Sequence, residues 1–168
     1  MAKQSNAKND GRRFEGLVQQ VADQYKYERI LRLEKCDPPT QVIGFGPARK
    51  IIFLENPFAD FVGSWTERGG RMLLIEAKST SDDRLQLGGK LSDNQVEWLF
   101  RWHCAGAAVG VLWEAQFKVG FLPLGRIKQI ADSGRRHIKF DEADPVPQGS
   151  GLTVFDFVAN LRRWYPTT

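Results

Sequence analysis

An aspartate and a Glu-Ala-Lys triplet are the residues of this chain whose types and spacing could support catalysis. Asp60 lies in one apolar segment, FADFVG, and Glu76, Ala77 and Lys78 lie in the next, MLLIEAK. Side chains alternate between the two faces of a β-strand, so Glu76 and Lys78 point to the same face. Charges on an otherwise hydrophobic strand are costly to bury unless something compensates them. The pattern therefore indicates either a catalytic group or an internal ion pair, in which Lys78 balances Glu76 or Asp60.

Two converging carboxylates and a backbone carbonyl offer the all-oxygen ligand set that suits Mg²⁺ or Mn²⁺. Such an ion can polarise a scissile phosphate and lower the pKa of a bound water. A lysine beside it could orient the attacking water or neutralise the charge that develops on the phosphate. The reaction that fits these residue types is hydrolysis of a phosphodiester.

Two predicted strands position these groups. The segments Pro57–Trp65 and Arg71–Lys78 are joined by the turn Glu67-Arg68-Gly69-Gly70, so we expect them to pair as antiparallel neighbours. This pairing would bring Asp60 across from Glu76.

Two predicted helices flank the strands, and each carries one polar candidate. Apolar residues recur at three- and four-residue steps over Arg12–Tyr25, which predicts a helix with Glu15 at the edge of its apolar stripe. A second helix is predicted near Ser92–His103 and carries Gln95. Glu15 could equally be a surface charge at a helix edge. Gln95 could equally complete a capping box with Ser92, in which the glutamine side chain returns to the N-cap amide.

The remaining patterns predict one α/β domain. Residues 1–10 lack periodicity and are predicted to be a flexible basic arm, followed by a single domain over residues 11–168. Two predicted strands, Gln41–Phe45 and Lys50–Glu55, form a projecting hairpin over 41–55 whose tip carries Arg49 and Lys50. The other predicted elements are strands at Glu28–Glu34, Val109–Trp113 and Lys118–Leu122 and helices at Leu124–Ala131 and Val154–Trp164.

Composition and charge narrow the class of protein. The 168 residues are 42% hydrophobic and 26% charged, which is typical of a globular domain, and no apolar run is long enough to cross a bilayer. Two cysteines, Cys36 and Cys104, match neither a disulfide framework nor a zinc pattern, which favours a reducing cytoplasm. The net charge of +4 resides in residues 1–50, which hold ten basic and six acidic side chains. Such a surplus is typical of a polyanion-binding face or of an ordinary solvated one.

The order of these features resembles that of the PD-(D/E)XK nuclease superfamily, with Ala59-Asp60 where the motif has Pro-Asp. Within that superfamily the chain looks like a RecU-type Holliday junction resolvase. The matching stretches, in the family's order, are GRRFEG at Gly11–Gly16, PPTQVI at Pro38–Ile43, FADFVG at Phe58–Gly63, IEAK at Ile75–Lys78, LSDNQVEWL at Leu91–Leu99 and AGAAVGVLW at Ala105–Trp113. The resemblance implies a nuclease-like fold with a central mixed β-sheet flanked by helices. It also implies that the hairpin 41–55 is a stalk that inserts at the junction centre.

The resemblance assigns a role to each residue of the central pattern. Asp60 and Glu76 would ligate the metal, assisted by the carbonyl of Ala77. Lys78 would serve the attacking water or the transition state.

The same resemblance gives roles to the flanking polar residues. Glu15 would reach the metal through a water, and Gln95 would contact the metal-bound water or the DNA backbone. The residues that would contact DNA are basic and lie near the arm, on the stalk and in the loop after the second strand: Arg12, Arg13, Arg49, Lys50, Arg84 and Lys90.

The implied function is that of a metal-dependent, structure-selective endonuclease that resolves four-way DNA junctions by symmetric nicking, with Mg²⁺ or Mn²⁺ as cofactor. Two symmetric nicks need two active sites, so we expect a homodimer. Branched DNA is the expected partner, recombination proteins are further candidates, no membrane is involved, and the expected location is the cytoplasm of a cell or of a virus-infected host. Two other interpretations stay open: an endonuclease of this superfamily that acts on ends, flaps or a specific sequence, and a non-catalytic DNA-binding protein with this fold.

Overall fold

The computed structural model describes residues 3–37, 40–43, 49–53, 59–149 and 154–166, with side chains described at 11–37, 43, 49, 59–149 and 154–166. The α-helices in these ranges are α1 (Lys3–Tyr27), α2 (Asp93–Cys104), α3 (Leu124–Asp132) and α4 (Val158–Trp164). The strands are β1 (Arg32–Lys35), β2 (Thr40–Ile43), β3 (Lys50–Phe53), β4 (Phe61–Trp65), β5 (Arg71–Thr80), β6 (Arg84–Gln86), β7 (Ala108–Ala115), β8 (Lys118–Pro123), β9 (His137–Lys139) and β10 (Asp144–Pro145). Within the described ranges, no helix is both long enough and apolar enough to span a membrane.

Six strands form the central sheet, in the order β1-β4-β5-β7-β8-β10. The pair β5 and β7 is parallel, and the other neighbouring pairs are antiparallel. A parallel pair needs a long crossover, and the chain between these two strands includes α2. The predicted α/β class with a central mixed sheet is therefore confirmed.

Helices cover both faces of this sheet. On one face, Leu73 and Ile75 of β5 pack with the apolar stripe of α1 and with α4. On the other face, Leu74 of β5 and Val111 of β7 pack with residues of α2 and α3. Strands buried on both faces are expected to be almost continuously apolar, and the charged Glu76 is the exception within the buried part of β5.

The first helix is longer than the sequence predicted. Its stripe from Phe14 to Tyr25 is buried, which confirms the apolar face. The helix begins at Lys3, so residues 3–10, predicted as an arm without regular structure, are helical. Extending an existing helix costs far less than nucleating one, and this segment contains no proline to stop it.

The predicted hairpin contains a real strand pair. β2 and β3 pair antiparallel, from Thr40 opposite Phe53 to Ile43 opposite Lys50, in a two-stranded sheet of their own. Residues 44–48 and 54–58, which include the turn of the predicted stalk, lie outside the described residues. Its projection from the body and its role at a junction stay predictions.

Several boundaries differ from the predicted ones. β4 begins at Phe61 rather than at Pro57, so Asp60 directly precedes the strand. α4 begins at Val158 rather than at Val154. The small sheet formed by β6 and β9 was not predicted, because three-residue strands carry too little periodicity to be recognised.

Candidate active site

Glu76 is the centre of the candidate site. It is 1% exposed, although it is charged, because β5 carries it into the sheet interior beneath α2. Its Oε1 accepts hydrogen bonds from the Lys78 ammonium and, at 2.7 Å, from Gln95 Nε2. Its Oε2 accepts from the backbone N–H of Asp60 at 3.2 Å. These three donors satisfy a carboxylate that would otherwise be very costly to bury.

Asp60 is held next to Glu76 by backbone contacts on both sides. Its carbonyl accepts from the Cys36 N–H at 2.8 Å, and its Oδ2 accepts from the Ala77 N–H at 2.9 Å. The Lys78 Nζ lies 3.9 Å from the same Oδ2. The two carboxylates therefore share one lysine, and the predicted convergence of Asp60 with Glu76 and Lys78 occurs in the structure.

Burial and the presence of one lysine for two carboxylates determine the pKa values of Asp60, Glu76 and Lys78. Burial, with the charge of Asp60, raises the pKa of Glu76 to about 7, against the opposing effect of Lys78. Burial also raises the pKa of Asp60, although Lys78 and the Ala77 N–H lower it. Burial lowers the pKa of Lys78, but the carboxylates of Glu76 and Asp60 outweigh it, so that the pKa is raised. Two carboxylates facing one ammonium leave a site that a further cation would stabilise.

Glu15 lies at the edge of this site rather than in it. Its Oε2 is 2.9 Å from the Nζ of Lys35, and its charge contributes to the raised pKa values of Asp60 and Lys78. Glu15 is thus close enough to act on the site electrostatically, and its link to a metal through water stays a prediction. It is not an isolated surface charge.

Lys35 is a part of this environment that the sequence analysis missed. It ends β1, where it pairs with Phe61, so it is adjacent to Asp60 across the ladder. β1 approaches β4 closely because Gly63 has no side chain; a Cβ there would lie 1.9 Å from the carbonyl oxygen of Arg32. The pairing of β1 with β4 places Lys35 beside Asp60, and the sequence alone does not show which strands pair.

Gln95 forms the predicted capping box and also contacts Glu76, while its contact with a metal-bound water or with DNA stays a prediction. Its Oε1 accepts from the Ser92 N–H at 3.1 Å, while the Ser92 hydroxyl accepts from the Gln95 N–H at 3.2 Å, so a capping box begins α2. Its Nε2 donates to Glu76. The capping interaction thus orients the amide group that contacts the site.

The basic residues predicted to contact DNA lie on several separate elements, and those whose side chains are described do not form one cluster with Asp60, Glu76 and Lys78. The guanidinium of Arg13 forms an ion pair with the buried Glu114, which also accepts from the Ser79 hydroxyl at 3.2 Å. Four of the others have exposed side chains: Arg12, Arg49, Arg84 and Lys90. Lys50 begins β3, and its side chain lies outside the described residues.

The donor set can be tested for a divalent metal. The described residues include no group of three or more Asp, Glu, His or Cys side chains arranged to hold a metal. Mg²⁺ is ordinarily bound by one or two carboxylates, with water and substrate oxygens completing an octahedron. Asp60 and Glu76, the two acids that share Lys78, fit a hard cation of this kind and not a zinc site, which would need nitrogen or sulfur ligands.

Comparisons with known proteins found a similarity among solved structures. No family model matches the chain, and no curated protein matches it. Among solved structures it is similar to that of Hjc, a Holliday junction resolvase from the archaeal hyperthermophile Archaeoglobus fulgidus. The match has 19% sequence identity, a TM-score of 0.49, and covers 80% of this chain and 95% of that one. The chemistry proposed for this protein rests on the residues described above.

Proposed function

We propose that this protein is a metal-dependent endonuclease that resolves four-way DNA junctions by symmetric nicking. The observation that carries the nuclease activity is the convergence of Asp60, Glu76 and Lys78 at one buried point. The preference for junctions is supported by the sequence resemblance to RecU-type resolvases, including the paired strands of the predicted stalk. A homodimer is part of the proposal, because each junction needs two symmetric cuts.

In this proposal Asp60 and Glu76 hold Mg²⁺ or Mn²⁺, with the Ala77 carbonyl as a third ligand. The ion, when bound, would draw charge from the scissile phosphate and lower the pKa of a water. Lys78 donates hydrogen bonds to that water or to the phosphate as negative charge grows during the reaction. The Ala77 N–H fixes the orientation of the Asp60 carboxylate.

Gln95 and Glu15 support the same chemistry from outside the ligand set. Gln95 donates from its Nε2 to Oε1 of Glu76 and so fixes the orientation of the carboxylate that would bind the ion. Glu15, which is paired with Lys35, would reach the ion through a water. DNA contacts are assigned to the basic residues of the predicted set, which are Arg12, Arg13, Arg49, Lys50, Arg84 and Lys90.

The deciding experiment is cleavage of a synthetic four-way junction and of a linear duplex of the same sequence, each with Mg²⁺ or with EDTA. We expect nicked product from the junction only when the metal is present. Asp60→Ala should abolish cleavage and leave junction binding intact, because a ligand carboxylate is lost and no DNA contact is. Asp23→Ala, which removes an exposed carboxylate on α1, is the matched control and should cleave as the wild type does.

Each other outcome selects a different function. Equal cutting of duplex and junction contradicts junction selectivity and leaves a nuclease for other DNA. Binding of DNA without cleavage in Mg²⁺ or Mn²⁺ leaves a non-catalytic DNA-binding protein. Cleavage that is unchanged in Asp60→Ala rules out the proposed site.

A further inference from the structure

The turn between β7 and β8 presents an aromatic side chain to solvent at a strained position. Ala115 pairs with Lys118, so the turn has only two residues, Gln116 and Phe117. Both have positive φ, 50° and 65°, in the left-handed region that non-glycine residues seldom occupy. Turns of this type strongly prefer Asn-Gly. The Phe117 side chain is 88% exposed, so packing in the described fold does not account for it.

This turn lies at the end of the sheet where β5 and β7 finish, beyond Lys78 of the candidate site. β5 and β7 are parallel, and Thr80 at the end of β5 pairs with Ala115 just before the turn. Lys78 pairs with Trp113, which is four residues before Phe117. At about 3.3 Å per residue, the turn begins roughly 10 Å along the strand from the level of Lys78. The contact with Arg13 places the Phe117 ring on the α1 side of the sheet, whereas Glu76 and Lys78 lie on the α2 side. A branched DNA that passes this end of the sheet would reach both.

The surroundings of Phe117 are basic. The guanidinium of Arg13 lies 5.7 Å from the centre of the ring, within the range of a cation–π contact. Arg12 adjoins Arg13 and Lys118 adjoins Phe117 in the sequence; both are exposed, and neither forms an ion pair within the described part of the chain. An exposed flat ring beside positive charge matches the two faces of a nucleic acid strand, in which a π-stacked base adjoins an anionic phosphate. We choose nucleic acid over an acidic protein or an anionic lipid because the proposed function requires a DNA substrate.

We propose that Phe117 stacks on a base that is exposed where a DNA duplex is interrupted, close to the branch point of the substrate. This inference rests on the proposed function for its choice of branched DNA. Stacking on an aromatic ring tolerates any base, since every base has a π-face, so the contact would select structure rather than sequence. Phe117 would thereby help to distinguish a junction from a continuous duplex, whose bases are already stacked on one another.

The test measures binding without cleavage. Fluorescence anisotropy in EDTA would give the affinity of each variant for a four-way junction and for a linear duplex, and 2-aminopurine at the branch point would report base stacking. Phe117→Gly is the informative variant, because glycine suits a positive φ and the ring is lost without harm to the turn. Its melting temperature should be at least that of the wild type. Phe117→Trp keeps an aromatic face.

Tyr27→Ala is the matched control. Tyr27 is 85% exposed, at the end of α1, near the segment where the Glu67 N–H donates to the Ile30 carbonyl at 3.1 Å. Glu67 lies between β4 and β5, so Tyr27 is at the opposite end of the sheet from Phe117. The variant removes an equally exposed aromatic ring far from the proposed contact.

We expect Phe117→Gly to weaken junction binding roughly tenfold, to leave duplex binding unchanged and to lose the 2-aminopurine response. Phe117→Trp and Tyr27→Ala should retain all three properties. The proposal is overturned if Phe117→Gly binds the junction as the wild type does, if it loses junction and duplex affinity equally, or if the wild type binds no branched DNA. Cleavage by the wild type in Mg²⁺ is scored separately: binding that depends on Phe117 without cleavage contradicts the nuclease and supports the stacking contact.

Discussion

Gln95 and Glu76 are joined by a hydrogen bond of 2.7 Å, from the amide Nε2 of one to the carboxylate Oε1 of the other. The orientation of that amide is set by its other end, since Oε1 of Gln95 accepts from the Ser92 N–H. A reversed amide would place its oxygen against the Glu76 carboxylate and its NH₂ group against the Ser92 donor. The start of α2 therefore fixes which atom faces the candidate site.

The first prediction separates the two roles of Gln95. Gln95→Glu can still accept from the Ser92 N–H, so the cap and most of the stability should survive, but a carboxylate would now face Glu76. We expect cleavage to fall roughly 10- to 100-fold, as for other residues that orient a ligand.

Ser92→Ala should lower the free energy of unfolding by about 1 kcal/mol and leave most of the cleavage rate. Urea unfolding and junction cleavage measured on both variants check this; equal cleavage by Gln95→Glu and wild type would contradict the role of the amide.

The second prediction concerns metal binding in the absence of DNA. A cation bound by Asp60 and Glu76 stabilises only the folded state, so Mg²⁺ or Mn²⁺ should raise the melting temperature of the wild type. At a hundred times the dissociation constant the gain is about 2.7 kcal/mol. Asp60→Ala should abolish this increase, Asp23→Ala should keep it, and EDTA should reverse it. An increase of the same size in wild type and Asp60→Ala would place the metal elsewhere.

The third prediction concerns the buried ion pair of Arg13 and Glu114. Arg13→Ala leaves a buried carboxylate without its cation and should lower the free energy of unfolding by on the order of 2 kcal/mol, since the arginine end is partly solvated. Adding Glu114→Gln removes the uncompensated charge, so the double variant should be more stable than Arg13→Ala alone. A further loss in the double variant, measured by urea unfolding, would contradict the coupling.

Arg12 supplies the comparison for Arg13. It is the neighbouring residue and its side chain is exposed. Arg12→Ala should change stability by less than about 0.5 kcal/mol. If it contacts a phosphate, the slope of DNA affinity against salt should fall by about one, which a titration at several salt concentrations would measure.

The fourth prediction is a dependence of stability on pH at Glu142. Two hydrogen bonds from the Arg135 guanidinium, at 2.6 and 2.7 Å, and one from the Lys139 N–H lower the pKa of Glu142 from its usual 4.5 to about 2. Between these values the unfolded chain binds more protons than the folded one, so the contribution is complete above about pH 4.5 and is lost as the pH falls to 2. Glu142→Gln should be less stable than the wild type at pH 7, and the difference should shrink over that interval. Urea unfolding at pH 7, 4 and 2.5 tests this, and Arg135→Gln should show the same trend. A difference in stability that stays constant from pH 7 to pH 2.5 would contradict it.

Local patterns predicted the parts of the site that depend on neighbours in the chain. Strand alternation puts Glu76 and Lys78 on one face, and Ser92 and Gln95 form a capping box because they are three residues apart. The apolar stripe from Phe14 to Tyr25 is buried as its spacing indicates. Each of these follows from the period of a single helix or strand.

Tertiary structure decided everything that required two elements to meet. The sequence could not show that Gln95 contacts Glu76, because this hydrogen bond depends on the packing of α2 over β5, whereas the capping box is local to α2. The register of β1 on β4 brings Lys35 to the edge of the site, and the contact of Arg13 with Glu114 joins α1 to β7. The sequence alone therefore identifies the residue types that could support catalysis. Their charges, orientations and partners depend on burial and on contacts between distant segments, which only the folded chain creates.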